Sequence, residues 1–315
     1  MSKWILYSRF FVYLHINFFY KKLKYNMRLN GRRTSDNVQD GRARKAIGGK
    51  GLGIGGIIIV GLIVWLSGGD LSQVFNVIQQ TQQQNISQTS EDENFQSTPK
   101  EEELKKFVSI IFAGTEDAWT DIFSDMGSVY RKPKMHIFRT SVTSGCGNAS
   151  SSTGPFYCPA DETVYIDLSF FDEMEGQLHA GGDFAYAYVI AHEVGHHVQK
   201  LLGILDKERA AEAANPNRKN ELSVRTELQA DFFAGVWAHH DNKNYNSLED
   251  GDIEEGLNVA AAIGDDRLQM EAQGYTVPES FNHGTSAQRS KWLKLGYKTG
   301  SLKYMDTFSP DYSDL

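Results

Sequence analysis

The chain has 315 residues, 40% hydrophobic and 23% charged, proportions that suit a folded protein and exclude disorder throughout. Its formal charge of −8 hides a division: the first 50 residues hold 12 basic and 2 acidic side chains, the remainder 20 and 38. A body so acidic repels a phosphate backbone, which excludes nucleic acid as the expected partner, and two cysteines alone exclude a disulfide-dense mini-domain or a multi-cysteine zinc ribbon.

Residues 1–46 are expected to form a basic cytoplasmic segment. Residues 1–26 are aromatic and basic, with apolar stretches broken by Arg9, His15 and Asn17, so they make a poor span. The composition changes at Met27, which is the alternative start of the native chain. Residues 51–66 (GLGIGGIIIVGLIVWL) carry no charge, and extension on both sides, with Lys50 snorkelling, predicts a transmembrane helix over 47–69. A cleaved signal peptide is the alternative. The run lies far from the first residue and lacks a small-x-small site after Leu66, which favours an anchor. Arg32, Arg33, Arg42, Arg44, Lys45 and Lys50 precede the span, so the expected arrangement is single-pass in the cell membrane, N-terminus cytoplasmic and the rest extracytoplasmic. Gly51 and Gly55 allow close helix contact and hence self-association. Residues 70–100 are glutamine- and serine-rich over much of their length and predict a flexible linker.

A folded domain is expected over 101–315. Leu104, Phe107, Val108, Ile111, Phe112, Ala118, Trp119, Ile122 and Phe123 recur at helical spacing and predict an amphipathic helix or a pair. Val164, Ile166 and Leu168 alternate with Thr163, Tyr165 and Asp167 as a half-buried strand does, and residues 135–139 form a second, weaker candidate. The expected class is α+β, mostly helical with a small sheet, and residues 164–168 are the candidate edge strand for an extended substrate.

Residues 181–203 (GGDFAYAYVIAHEVGHHVQKLLG) predict a helix with Asp183 as N-cap and Gly203 as stop. On it His192 and His196 are four residues apart, which stacks both imidazoles on one side where they can hold one zinc ion. Glu193, about 100° around the axis, can instead take a proton from a metal-bound water. Gly195 lets another segment approach closely. A second helix carries Glu227 and Asp231, again four apart, beside Leu228, Phe232 and Val236. Glu227 is the expected third ligand and Asp231 the acceptor for the distal nitrogen of one histidine; the bland alternative is two solvated carboxylates.

Six blocks in order resemble the neutral zinc metallopeptidase family: residues 30–42 (NGRRTSDNVQDGR), 144–149 (SGCGNA), 154–161 (GPFYCPAD), 192–199 (HEVGHHVQ), 223–231 (SVRTELQAD) and 281–289 (FNHGTSAQR). The resemblance implies a zincin-like, gluzincin-type protease behind one membrane span, with His192, His196 and Glu227 on zinc, Glu193 as base and peptides or proteins as substrates. His283 and Arg289 resemble the His and Arg that follow the metal site in some other gluzincins, which implies stabilisation of the oxyanion; a capping loop and a surface arginine are the alternative. Cys146 and Cys158, outside the cytoplasm in this topology, are expected to form a disulfide, with a buried thiol pair or metal ligation as alternatives. His197 is expected to pack or face solvent, and the acidic residues 248–256 to be a solvated helix start. Two rival functions stand beside the protease: a tethered binding or scaffold protein that keeps zinc for folding, and a zinc hydrolase of non-peptide substrates.

Overall fold

A computed structural model of the protein describes residues 27–43 and 95–315. The long helix α1 (Pro99–Asp125) begins where Thr98 and Glu101 make a reciprocal capping box and Pro99 supplies the first helical residue. It is one continuous helix, its apolar stripe from Leu104 to Phe123 buried. Four strands make the main sheet: β1 (Val38–Asp40), β2 (Lys134–Phe138), β5 (Phe156–Cys158) and β6 (Thr163–Asp167), in the order β1-β2-β6-β5. The first two pairings are parallel, with Val38 opposite Met135 and His136 opposite Tyr165; β5 runs antiparallel to β6, with Tyr157 opposite Val164. A hairpin, β3 (Ser141–Ser144) and β4 (Gly147–Ser150), stands apart.

The strand expected at the sheet edge is interior. β6 has neighbours on both sides and every residue buried, because Phe138, Cys158 and Tyr165, with Val142 and Phe156, cover the face expected to meet solvent. β5 is an edge.

Helices follow: α2 (Ser169–Gly176), α3 (Asp183–Leu201), α4 (Ile204–Ala214), α5 (Lys219–Tyr245), α6 (Asp252–Ala262), α7 (Asp265–Gln273) and α8 (Ser286–Thr299). α5 is central and touches α1, α3, α4 and α8. Against α8 it meets glycine to backbone: a Cβ on Gly235 would strike Leu293 and Tyr297, and one on Gly296 would strike Phe232. That approach brings the two helices close enough for Phe232 and Trp292 to meet edge to face.

Residues 27–43, part of the segment expected over residues 1–46, pack into this body. β1 extends the sheet, Ser35 N–H donates to the Ser109 carbonyl, and Asn37 Nδ2 donates to Glu116 Oε1 at 2.7 Å. Arg32, Arg33 and Arg42, counted in the sequence as membrane-orienting charges, are ion-pair partners of Asp241, of Glu116 and Asp117, and of Asp40 and Glu102. The domain also opens before residue 101, since Thr98 caps α1 and Arg42 Nη1 donates to Ser97 Oγ at 2.9 Å. The span expected at 47–69, with Gly51 and Gly55, lies outside the described residues, as does most of the expected linker. Among the described residues no helix is long and apolar enough to cross a membrane. Arg42 and Ser97 place the two flanks of that stretch at one spot on the domain.

Candidate metal centre

α3 starts at Asp183 with Gly182 as its cap, at φ +132°, where the Glu255 carboxylate fills the space a Cβ would take. Gly203, at φ +72°, follows its last turn. Phe184, Tyr188, Ala191, Gly195 and Val198 are buried, but so is every other residue from Asp183 to Gly195: the helix is enclosed on all sides and does not present one apolar face. A Cβ on Gly195 would stand 3.0 Å from the Ala230 carbonyl oxygen, so this glycine is what lets α5 approach.

The approach brings Glu227 to the two histidines. His192 Nε2 lies 3.1 Å from Glu227 Oε2 and His196 Nε2 lies 3.5 Å from Glu227 Oε1, and one donor atom from each of the three falls within 4.8 Å of the others. The opposite ring nitrogens are committed elsewhere. His192 Nδ1 donates to Asp231 Oδ1 at 2.8 Å, and His196 Nδ1 donates to Gln199 Oε1 at 2.8 Å. Gln199 is itself held, its Nε2 donating to the Thr226 carbonyl and to Gln229 Oε1. Both imidazoles therefore turn Nε2 lone pairs toward the carboxylate, and two nitrogens with one carboxylate oxygen are the donor set of a catalytic zinc site with a position left open. The residues fit the ion.

Asp231 is fully buried and bonded on all sides. It accepts from His192, from the Tyr188 hydroxyl at 2.6 Å, and from Arg289 through Nε at 2.9 Å and Nη2 at 3.0 Å. Burial alone would raise its pKa, but Arg289 and then His192 outweigh that and hold it low. Burial likewise opposes charge on His192, yet Asp231 and Glu227 raise it to about 10. Glu227 is held well below the usual carboxylate range against the cost of its burial, by His196 first and then by His192 and His283. Burial pushes Glu193 up, partly offset by the two histidines and by the Tyr157 N–H of β5.

His283 and Arg289 separate. His283, with a half-exposed side chain, sits within electrostatic reach of Glu227 and is positioned by Asp265, which takes its Nδ1–H at 3.3 Å and the backbone N–H groups of Asn282, His283 and Gly284. Arg289, expected beside a developing oxyanion, is 3% exposed and spent on Asp231. Its guanidinium contacts are with Asp231 and the Tyr188 hydroxyl. Gln199 was missed as a positioning residue; the signal was its spacing, three after His196 on the same helix.

His197 is buried and neutral. Its Nε2–H donates to the Arg131 carbonyl, its Nδ1 accepts from the Tyr157 hydroxyl at 2.8 Å, and burial lowers its pKa to about 4. The expected disulfide joins Cys146 to Cys158 and ties the β3–β4 turn to β5. The acidic residues 248–256 are not all solvated: Asp252 is 1% exposed and lies with Asp183 and Glu255 in a second carboxylate cluster.

A scan against protein families matches residues 27–308 to the family described as "Putative neutral zinc metallopeptidase". The chain is 50% identical over 292 residues to "Uncharacterized protein YpfJ" of Escherichia coli, an alignment that covers 90% of this chain and 99% of that one. It is 42% identical over 218 residues to "Uncharacterized protein Rv2575" of Mycobacterium tuberculosis, covering 66% of this chain and 73% of that one. No solved structure matches. With two histidines and a glutamate convergent on paired helices, and with all but the first 26 and last 7 residues inside the family match, the chain belongs to the neutral zinc metallopeptidase family.

Proposed function

We propose that the protein is a zinc-dependent endopeptidase, and the observation that carries this reading is the convergence of His192 Nε2, His196 Nε2 and Glu227 with Glu193 beside them. His192, His196 and Glu227 would hold the zinc ion, which would supply Lewis acidity and an acidified water when bound. Glu193 would take a proton from the attacking water as its oxygen bonds to the carbonyl carbon, a task suited to the higher proton affinity that burial confers, and would deliver it to the amine nitrogen as the C–N bond breaks. His283, whose pKa stays raised against burial because of Asp265 and Glu227, offers positive charge to the carbonyl oxygen as negative charge grows there. Among the described residues no strand pairs with the outer side of β5, which lies against α3. An extended peptide can add there by backbone hydrogen bonds, which favours peptide over compact substrates.

The uncharged residues 51–66 support membrane attachment in the same reading. The test is zinc content paired with a peptide-library digest, for the native chain and for Glu193→Gln. One zinc per chain in both and cleavage by the native chain alone is the expected result. Zinc without cleavage in either would leave the scaffold rival, and cleavage retained at more than about one hundredth of the native rate in Glu193→Gln would remove Glu193 as base.

A further inference from the structure

The second carboxylate cluster lies at the first turn of the metal-binding helix. Asp183 is the first residue of α3, while Asp252 and Glu255 sit in the first turn of α6, and one oxygen from each falls within 4.8 Å of the others. Asp183 and Asp252 are 5% and 1% exposed. Burial, and then the neighbouring carboxylates, push Asp252 up to about 6 and Glu255 up to about 7. Asp252 Oδ2 accepts the Glu249 N–H, but its buried Oδ1 has no hydrogen-bond partner among the described residues. The nearby guanidinium of Arg28 turns away to Glu249 and the Asn246 carbonyl.

What points into the cluster is the backbone nitrogen of Met27, 2.5 Å from Asp183 Oδ2. Met27 is 3% exposed, its side chain in the main core, and the next N–H, that of Arg28, donates to the Ser247 carbonyl. An amide nitrogen there has one hydrogen, already given to Asp183. An α-ammonium has three and a full charge, enough to serve the orphaned Asp252 oxygen and Glu255 as well. The family match opens at this same residue.

We propose that Met27 is the first residue of the folded protein and that its α-ammonium group is gripped by the carboxylates of Asp183, Asp252 and Glu255. The chain start then pins the first turn of the helix that carries His192, Glu193 and His196, about two and a half turns before His192. Long side chains such as that of Arg28 in second place protect an initiator methionine from removal, so the group that fits is the group that would be made.

Two chains test this: 27–315, with a free amine at Met27 and every described residue, and 1–315, in which the same nitrogen is an amide. In 27–315 the amine should react with an amine-selective reagent at least about tenfold more slowly folded than denatured, the slowing that a rise of one pKa unit produces. Its melting temperature should exceed that of 1–315, and the difference should shrink in Asp252→Asn and, as a milder change, in Glu255→Gln. Equal reactivity folded and denatured, or a melting temperature for 27–315 no higher than for 1–315, overturns the proposal. Neither readout depends on zinc or peptide cleavage, so the result stands apart from the fate of the proposed function.

Discussion

Asp231 does more than its place one turn after Glu227 suggests. It is the acceptor that sets the His192 tautomer and the counter-charge of a buried guanidinium, so Asp231→Asn weakens one bond and strands Arg289. Zinc affinity, measured by competition with a chromophoric chelator, is expected to fall about 10- to 100-fold in Asp231→Asn and to a lesser extent in Arg289→Lys, which cannot form the paired contact. Unchanged affinity in both would remove the positioning role. His197 makes a separate prediction. Folding holds its pKa near 4 against about 6.5 unfolded, so the neutral ring favours the fold. That stability is complete above about pH 6.5 and is lost as pH falls toward 4, to a total of about 3 kcal/mol. In His197→Gln, which keeps a donor for the Arg131 carbonyl, the melting temperature should vary less over this window; an identical pH profile would count against it.

At the scale of elements, two glycine contacts decide how near the metal helices come. Gly195 admits α5 to α3, which brings Glu227 to the histidines, and Gly235 with Gly296 admits α8 to α5, which brings Arg289 to Asp231. Gly296→Ala forces a methyl group onto the Phe232 carbonyl, and overpacking of this kind costs about 1–3 kcal/mol, so its melting temperature should drop. Arg289 is seven residues earlier on the same helix, so zinc affinity should fall too; a stable variant with native affinity would show that α8 can shift without cost. The sheet has its own lesson. Alternation in residues 163–168 marked a strand correctly but predicted one wet face, and the strand is dry on both because a second small cluster roofs it.

For the molecule as a whole, residues 27–43 and 95–315 form one body whose strap and helix start meet at Arg42 and Ser97. Replacing residues 44–94 by a short glycine-serine link should leave the melting temperature and zinc binding intact, because the joined ends are neighbours, while the full chain sediments with membranes and the shortened one does not. Membrane association that survives the deletion would refute attachment through residues 47–69.

The HExxH spacing and the later Glu227 and Asp231 were legible in the sequence because a helix repeats every 3.6 residues, so local spacing alone decides which side chains share a face. The cysteine pair was legible from the count, since two cysteines allow one bridge. Tertiary structure alone decided that β6 is interior and β5 an edge, that Arg289 pairs with Asp231 and that Arg32, Arg33 and Arg42 bind acids of the domain. Such outcomes depend on partners scores of residues away, brought together only when buried charge must find its counter-charge and each apolar face its cover.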